Sequence, residues 1–213
     1  MLENITIENF KGIKNATIEG FTQINIFMGK HGCGKSSLLD VIQLKVDSEG
    51  KQTNDENINK NKQDIVECLR YIEPKIKDFI YDDKTILFDI GKKYLPLNSM
   101  CSGIQNIIQI LFDLYKHENT VLTIDDIFNG FHYSVISKLW SVIINIVIKN
   151  NIQLFTTTHS YDVLKGLRDA SLNIYNEDVA IFTLLRTSDD ELKAFHYCLE
   201  SLDYSIKQEI EIR

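Results

Sequence analysis

Apolar and polar residues alternate in Ile5-Thr6-Ile7 and weakly in Ala16-Thr17-Ile18. They alternate again in Ile24-Asn25-Ile26 before Phe27-Met28 leads into a cluster of glycines. A period of two turns one side of each segment toward a core, so the three read as short strands. After them the period changes. Leu38, Leu39, Ile42 and Val46 recur at spacings of three and four, which predicts a helix with one buried face over 37–46. Over 47–63 Ile58 is the lone large apolar residue among Asn, Lys, Glu and Asp, and this predicts a polar linker or mobile loop.

Further on, Ile65, Cys68, Leu69 and Ile72 predict a helix ending before Pro74, and residues 85–90 a strand. Ile104, Ile107, Ile108, Leu111 and Leu114 give a strong helix face. Strands are then expected at 121–124, 152–155 and 179–185, and helices at 133–149, 161–168 and 199–210. Strands alternating with helices predict an α/β fold with a mainly parallel central sheet flanked by helices. The expected organisation is one domain over 1–213.

The chain of 213 residues is 44% hydrophobic and 25% charged, an ordinary globular profile. No run of about 18 apolar residues occurs, and the first residues lack the basic flank and apolar stretch of an export signal. A cytoplasmic protein with no membrane association is therefore expected. Cys33, Cys68, Cys101 and Cys198 form no C-x-x-C pair, so reduced thiols are expected in place of disulfides or zinc. Net charge is −7, with nearly all the excess negative charge after residue 100. That balance argues against a long nucleic-acid track, which gains affinity by neutralising phosphates with Lys and Arg.

Gly29-Lys30-His31-Gly32-Cys33-Gly34-Lys35-Ser36 matches G-x-x-x-x-G-K-[ST] between a predicted strand and a predicted helix. Such a loop curls so that backbone N–H groups face a phosphate, Lys35 reaches the β and γ phosphates, and Ser36 offers its hydroxyl to Mg²⁺. The strand 121–124 ends in Asp125-Asp126. Asp125 there suits a magnesium anchor acting through water, and Asp126 a group that orients or deprotonates attacking water. Both also fit turn residues closing a strand. Thr156-Thr157-Thr158-His159 ends another strand, and in a parallel sheet that edge is where ligands collect. His159 can sense a γ phosphate there or serve structure alone. Ser102 and Gly103 precede the helix expected from Ile104, where they fit either an anion site or a simple cap.

Taken in order, these segments resemble the ABC-type AAA ATPases of the SMC/RecF-like branch. The nearest likeness is to the ATPase domain of OLD-family (overcoming lysogenization defect) proteins and related phage-defence ATPases. The parts that carry it are the opening Ile5 to Ile13, the Walker A loop, Leu95 to Gly103, Ile124 to His132, and Thr157 to Ser160. The resemblance implies an ABC ATPase-like P-loop fold with an N-terminal antiparallel β-subdomain. It also implies ATP and Mg²⁺ as ligands, and a head-to-tail homodimer with ATP between the Walker A loop of one copy and the signature loop of the other. On that basis Lys11 and the loop from Gly29 through Ser37 approach the nucleotide, Ser102 and Gly103 contact the opposite copy's γ phosphate, and His159 is the switch histidine.

Three departures stand out. Asp126 occupies the position where the resemblance leads one to expect Glu, so slow hydrolysis is expected. Cys101 stands where Gly or Ser is usual. Only 64 positions separate Ser37 from Cys101, too few for the long helical insertion, and Gln43, Gln52 and Gln63 are poor substitutes for the Q-loop glutamine. No Toprim nuclease is expected within these residues. The leading expectation is a compact ATPase whose nucleotide-dependent dimerisation controls a partner or effector, with a place in phage defence. The alternative is a non-hydrolysing ATP-sensing scaffold or regulatory subunit. A P-loop kinase or GTPase is a weaker expectation, because no Asn/Thr-Lys-x-Asp element is visible and no acceptor-substrate lid stands out beyond the polar 47–63 stretch.

Overall fold

β1 (Asn4–Phe10) and β2 (Ile13–Glu19) form an antiparallel hairpin that pairs Ile5 with Ile18, Ile7 with Ala16 and Phe10 with Ile13. At its tip Lys11 and Gly12 have φ of 42° and 81°. Two positive values in succession are what a type I′ hairpin turn needs, and Gly12 meets its share without a Cβ in the way. The structure, a computed structural model, describes residues 1–48, 54–82, 85–171 and 178–208.

β3 (Ile24–Met28) is buried throughout and leads through the glycine loop into α1 (Lys35–Ser48). Two helices, α2 (Glu56–Lys60) and α3 (Lys62–Ile72), precede a small antiparallel sheet of β4 (Asp78–Asp82), β5 (Thr85–Asp89) and β6 (Tyr94–Pro96). After a turn of 3₁₀ helix come α4 (Ser102–Lys116), β7 (Val121–Ile124), α5 (Tyr133–Lys149), β8 (Gln153–Thr158) and α6 (Tyr161–Ala170). The chain continues through β9 (Val179–Arg186), β10 (Leu192–Tyr197) and α7 (Leu199–Lys207).

Among the described residues the central sheet has the order β10-β9-β3-β8-β7, parallel except for β10, which runs antiparallel to β9. Side chains alternate between its two faces. Ile24, Ile26, Leu154 and Ile181 pack with α3 to α7 and with Phe79 and Phe88 of the small sheet. Phe27, Phe155 and Phe182 point the other way, against α1 and the hairpin. There they meet Phe21, whose ring centroid lies 5.0 Å from that of Phe155 and 5.6 Å from that of Phe182. The expected α/β architecture with an antiparallel β-subdomain is the one observed.

The reading of 47–63 as a loop is corrected over much of its length. α1 runs to Ser48, and residues 56–60 and 62–72 are helical. Ile58 has 0% exposure, so one apolar side chain is enough to seat α2 on the core. Residues 49–53 lie outside the described residues, as does the expected helix end at Ile210. Among the described residues no helix is long and apolar enough to cross a membrane.

α5 and α6 cross closely. A Cβ on Gly166 would lie 2.6 Å from Ile136 Cγ2 and 3.1 Å from the Ser137 nitrogen. In the same interface the Trp140 indole donates to the Val163 carbonyl at 2.9 Å. Only a residue without a side chain fits that crossing.

Candidate functional site

Parallel strands β3, β7 and β8 end at one edge of the sheet, and their C-terminal residues converge there. The glycine loop emerges from β3 close against β9: a Cβ on Gly29 would come within 2.7 Å of the Leu184 carbonyl oxygen. Gly34 has φ of 112°, a value side chains rarely adopt. Lys35, the first residue of α1, turns its ammonium back to donate to the carbonyls of Gly29 at 2.7 Å and Lys30 at 3.0 Å. The loop therefore holds a cation at its centre. Cys33 is buried, with its sulfur beside Gly29.

Ser36 Oγ donates to Asp125 Oδ2 at 2.8 Å. The other Asp125 oxygen accepts from Thr157 Oγ1, which in turn accepts from the Asp126 backbone N–H at 2.7 Å. Thr157 thus fixes the direction of the Asp pair from the neighbouring strand. Asp126 itself has φ of 49°. Asp and Asn reach that left-handed region more readily than Glu does, which gives a physical reason for the shorter acid at this position. Its carboxylate lies 2.9 Å from His159 Nδ1, and the His159 ring is 4.8 Å from that of His31.

These groups line a cleft of about 260 Å³ that also takes in Ser37, Gly32, Gly34 and Arg186. An adjoining cavity of about 800 Å³ shares His31, Gly32, His159 and Arg186 and adds Lys30, Tyr161 and Phe195. Hydroxyl and carboxylate oxygens at Ser36 and Asp125 are the hard donors Mg²⁺ takes, and one or two protein ligands completed by phosphate and water suit that ion. Among the described residues no group of three or more His, Cys, Asp or Glu side chains could hold a metal ion. A cation here depends on oxygens from a ligand.

Other expected site residues lie apart. Lys11 pairs with Asp40 at 2.7 Å, and its carbonyl receives Ser37 Oγ at 3.5 Å. Ser102 is exposed and is the first residue of α4, so the helix starts two residues earlier than expected. Cys101 occupies the cap position with no side-chain cap bond, and Ser102 is not a cap. Gly103 faces the Phe131 ring, 3.6 Å from where a Cβ would sit. Neither Ser102 nor Gly103 lines the cleft of its own chain. Gln43 accepts from Thr123 Oγ1 at 2.8 Å and donates to Asp47 at 2.7 Å, so both ends of its amide are engaged away from the loop. Gln63 lies in α3, and Gln52 is outside the described residues. Sequence reasoning passed over Arg186, which pairs with Asp190 at 2.8 Å and donates to the Gly12 carbonyl. Its one signal was its place at the end of the last parallel strand.

The profile of the AAA ATPase domain family matches residues 1–80 and 45–164. The chain belongs to the AAA ATPase domain family. This AAA ATPase domain is 45% identical over 46 residues to the ATP/GTP phosphatase of Helicobacter pylori, a stretch covering 22% of the chain and 12% of that protein. It is 46% identical over 44 residues to an uncharacterized protein of Methanocaldococcus jannaschii, covering 21% of the chain and 20% of that protein. The chain therefore matches only a small part of either relative. Among solved structures it is similar to an SMC head bound to the C-winged helix domain of ScpA. That likeness has a TM-score of 0.66 at 11% identity, over 96% of this chain and 99% of that one. The SMC head domain from Thermotoga maritima gives 0.60 at 9% identity, over 92% and 98% of the two chains. The cbiO1 subunit of an ABC transporter complex from Clostridium perfringens gives 0.57 at 10%, over 96% and 89%. These likenesses place the AAA ATPase domain in the SMC/ABC-like fold.

Proposed function

We propose that this AAA ATPase domain binds ATP with Mg²⁺ and hydrolyses it slowly, and that ATP draws two copies into a head-to-tail dimer that controls a protein partner. The observation that carries the reading is the convergence of Lys35, the Ser36–Asp125 pair and the Asp126–His159 pair on one cleft. In it Lys35 would exchange its two carbonyl partners for phosphate oxygens, a charge-assisted contact. Ser36 and Asp125 would hold the cation, which would supply positive charge to offset the negative charge of the phosphates. Asp126, kept in place by Thr157 and His159, would orient the attacking water.

Ser102 and Gly103 lie outside the cleft of their own chain, which supports a role toward a second copy. A ligand shared between two chains stabilises only their associated state. A place in phage defence beside OLD-family proteins belongs to the same proposal and rests on the resemblance of Leu95 to Gly103 and Ile124 to His132. The test is Mg²⁺-dependent turnover of ATP and GTP, with sedimentation of Asp126→Asn with and without ATP. Expected are slow, ATP-preferring turnover and an ATP-dependent dimer that Gly103→Arg abolishes while leaving nucleotide binding intact. Nucleotide binding without turnover would favour a non-hydrolysing sensor, and a monomer under saturating ATP would refute the dimer.

A further inference from the structure

Strand alternation puts Ile181, Thr183 and Leu185 on one face of β9, and the register with β10 sets Tyr197 opposite Ile181 and Phe195 opposite Thr183. At Ile181 helices cover that face: the residue has 0% exposure and belongs to one apolar cluster with Val163 and Leu167 of α6 and Leu202 of α7. The cover stops short of the strand's end. Leu185 is 53% and Phe195 48% exposed, two large apolar side chains left at the edge of the helix layer.

This uncovered end is not flat. Tyr161 and the phosphate loop from Gly29 to Cys33 wall it into the cavity of about 800 Å³, a volume within the range of small-molecule sites. Thr183 lines that cavity and is 3% exposed, yet its Oγ1 has no hydrogen-bond partner among the described residues. Buried hydroxyls are normally paired, so a partner is missing that a ligand could bring. Charge narrows the choice of ligand. In a chain of net charge −7 no Asp or Glu lines the cavity, whereas Lys30 and Arg186 both do. Asp190 holds Arg186 from outside the lining, and Lys30 makes no ion pair among the described residues. Apolar walls, one unpaired hydroxyl and a cationic rim without an acid are the complement of an apolar ring that carries negative charge.

We propose that this cavity is a second ligand site, which takes a small aromatic anion. Its ring lies against Leu185, Phe195 and Tyr161, its charge meets Lys30 and Arg186, and a polar atom bonds to Thr183. The site goes beyond the nucleotide reading and does not depend on it, because Thr183, Leu185, Phe195 and Tyr161 line this cavity and not the cleft that holds Lys35, Ser36 and Asp125.

The test is fluorescence titration of the whole chain, free of nucleotide, with 8-anilinonaphthalene-1-sulfonate and with N-phenyl-1-naphthylamine, which has the same rings without the sulfonate. The wild type is expected to bind the sulfonate saturably at one site, and about tenfold more tightly than the neutral amine, as a charge-assisted contact implies. Leu185→Glu and Phe195→Ala, both at exposed positions, should each weaken the sulfonate at least fivefold. Tyr204→Glu, exposed on α7 outside the cavity, should bind it as the wild type does. Thr183→Val keeps nearly the same shape without the hydroxyl; it should weaken the sulfonate several-fold while its melting temperature does not fall. Absence of saturable binding, or equal affinity in wild type and Leu185→Glu, would overturn the site. Displacement of the probe by adenosine would also overturn it, by assigning the cavity to the nucleoside half of the nucleotide. So would an affinity that falls as protein concentration rises, which would mean that a second copy covers the cavity. Failure of ATP to bind the same protein would overturn the nucleotide reading and leave this site standing.

Discussion

Ser36 Oγ and Asp125 Oδ2 are 2.8 Å apart although 89 positions separate them in the chain. This hydrogen bond joins the hydroxyl at the start of α1 to the carboxylate at the end of β7, the two groups that would hold a divalent cation. Asp125→Asn removes one negative charge but keeps an acceptor for Ser36. It is expected to weaken nucleotide binding in Mg²⁺ by about tenfold while changing binding in EDTA little, since a charged partner is worth about 1.5–3 kcal/mol. Calorimetry in the two conditions checks this; equal losses in both would remove Asp125 from the cation site.

Lys35→Ala takes away the ammonium that donates to Gly29 and Lys30. Affinity for ATP should fall at least tenfold, because a charge-assisted phosphate contact of about 1.5–3 kcal/mol is lost. The melting temperature should rise with ATP in the wild type and stay unmoved in the variant at the same concentration.

Asp126 sits at φ 49° with its carboxylate against His159. Asp126→Asn suits that backbone and should keep ATP binding while lowering turnover. Asp126→Glu restores a longer acid but strains the backbone by about 1 kcal/mol. It should turn over near or above the wild-type rate, with a slightly lower melting temperature. Undiminished hydrolysis in Asp126→Asn would assign the step to another group.

Stability should fall on the alkaline side. Burial pushes the Cys68 thiol above its ordinary 9.0, and burial followed by the neighbouring thiol pushes the Tyr115 hydroxyl above its ordinary 10.0. Both pKa values are raised by folding, so their contribution is complete below about pH 9. It is lost at higher pH, where the unfolded chain releases protons the native state retains. Urea midpoints from pH 8 to pH 10.5 should decline, and Tyr115→Phe should make that decline shallower. An unchanged slope in the variant would place the alkaline loss elsewhere.

Local pattern made the centre of the molecule readable and left its periphery obscure. The glycine spacing, the apolar run of β3 and the helical period of α1 sit side by side, so the phosphate loop declares itself within about twenty residues. α2 hides because Ile58 is its one large apolar residue, and burial of that residue is decided by distant partners. β10 escapes the same reading: of Leu192 to Tyr197 only Leu192 is buried, and the strand owes its place to pairing with β9. The meeting of His31 with His159 has no local signature at all, since it depends on the parallel register of β3 and β8.

The close crossing at Gly166 gives the cleft a mechanical character. His159 stands two residues before α6 and Asp126 seven before α5, and those helices are pressed together at Ile136 and tied by Trp140 to Val163. With 17 and 10 residues they are struts of roughly 25 Å and 15 Å. A pull on the imidazole is therefore not absorbed by a soft loop. It is passed to α6, which begins two residues beyond His159, and through the Gly166 crossing to α5.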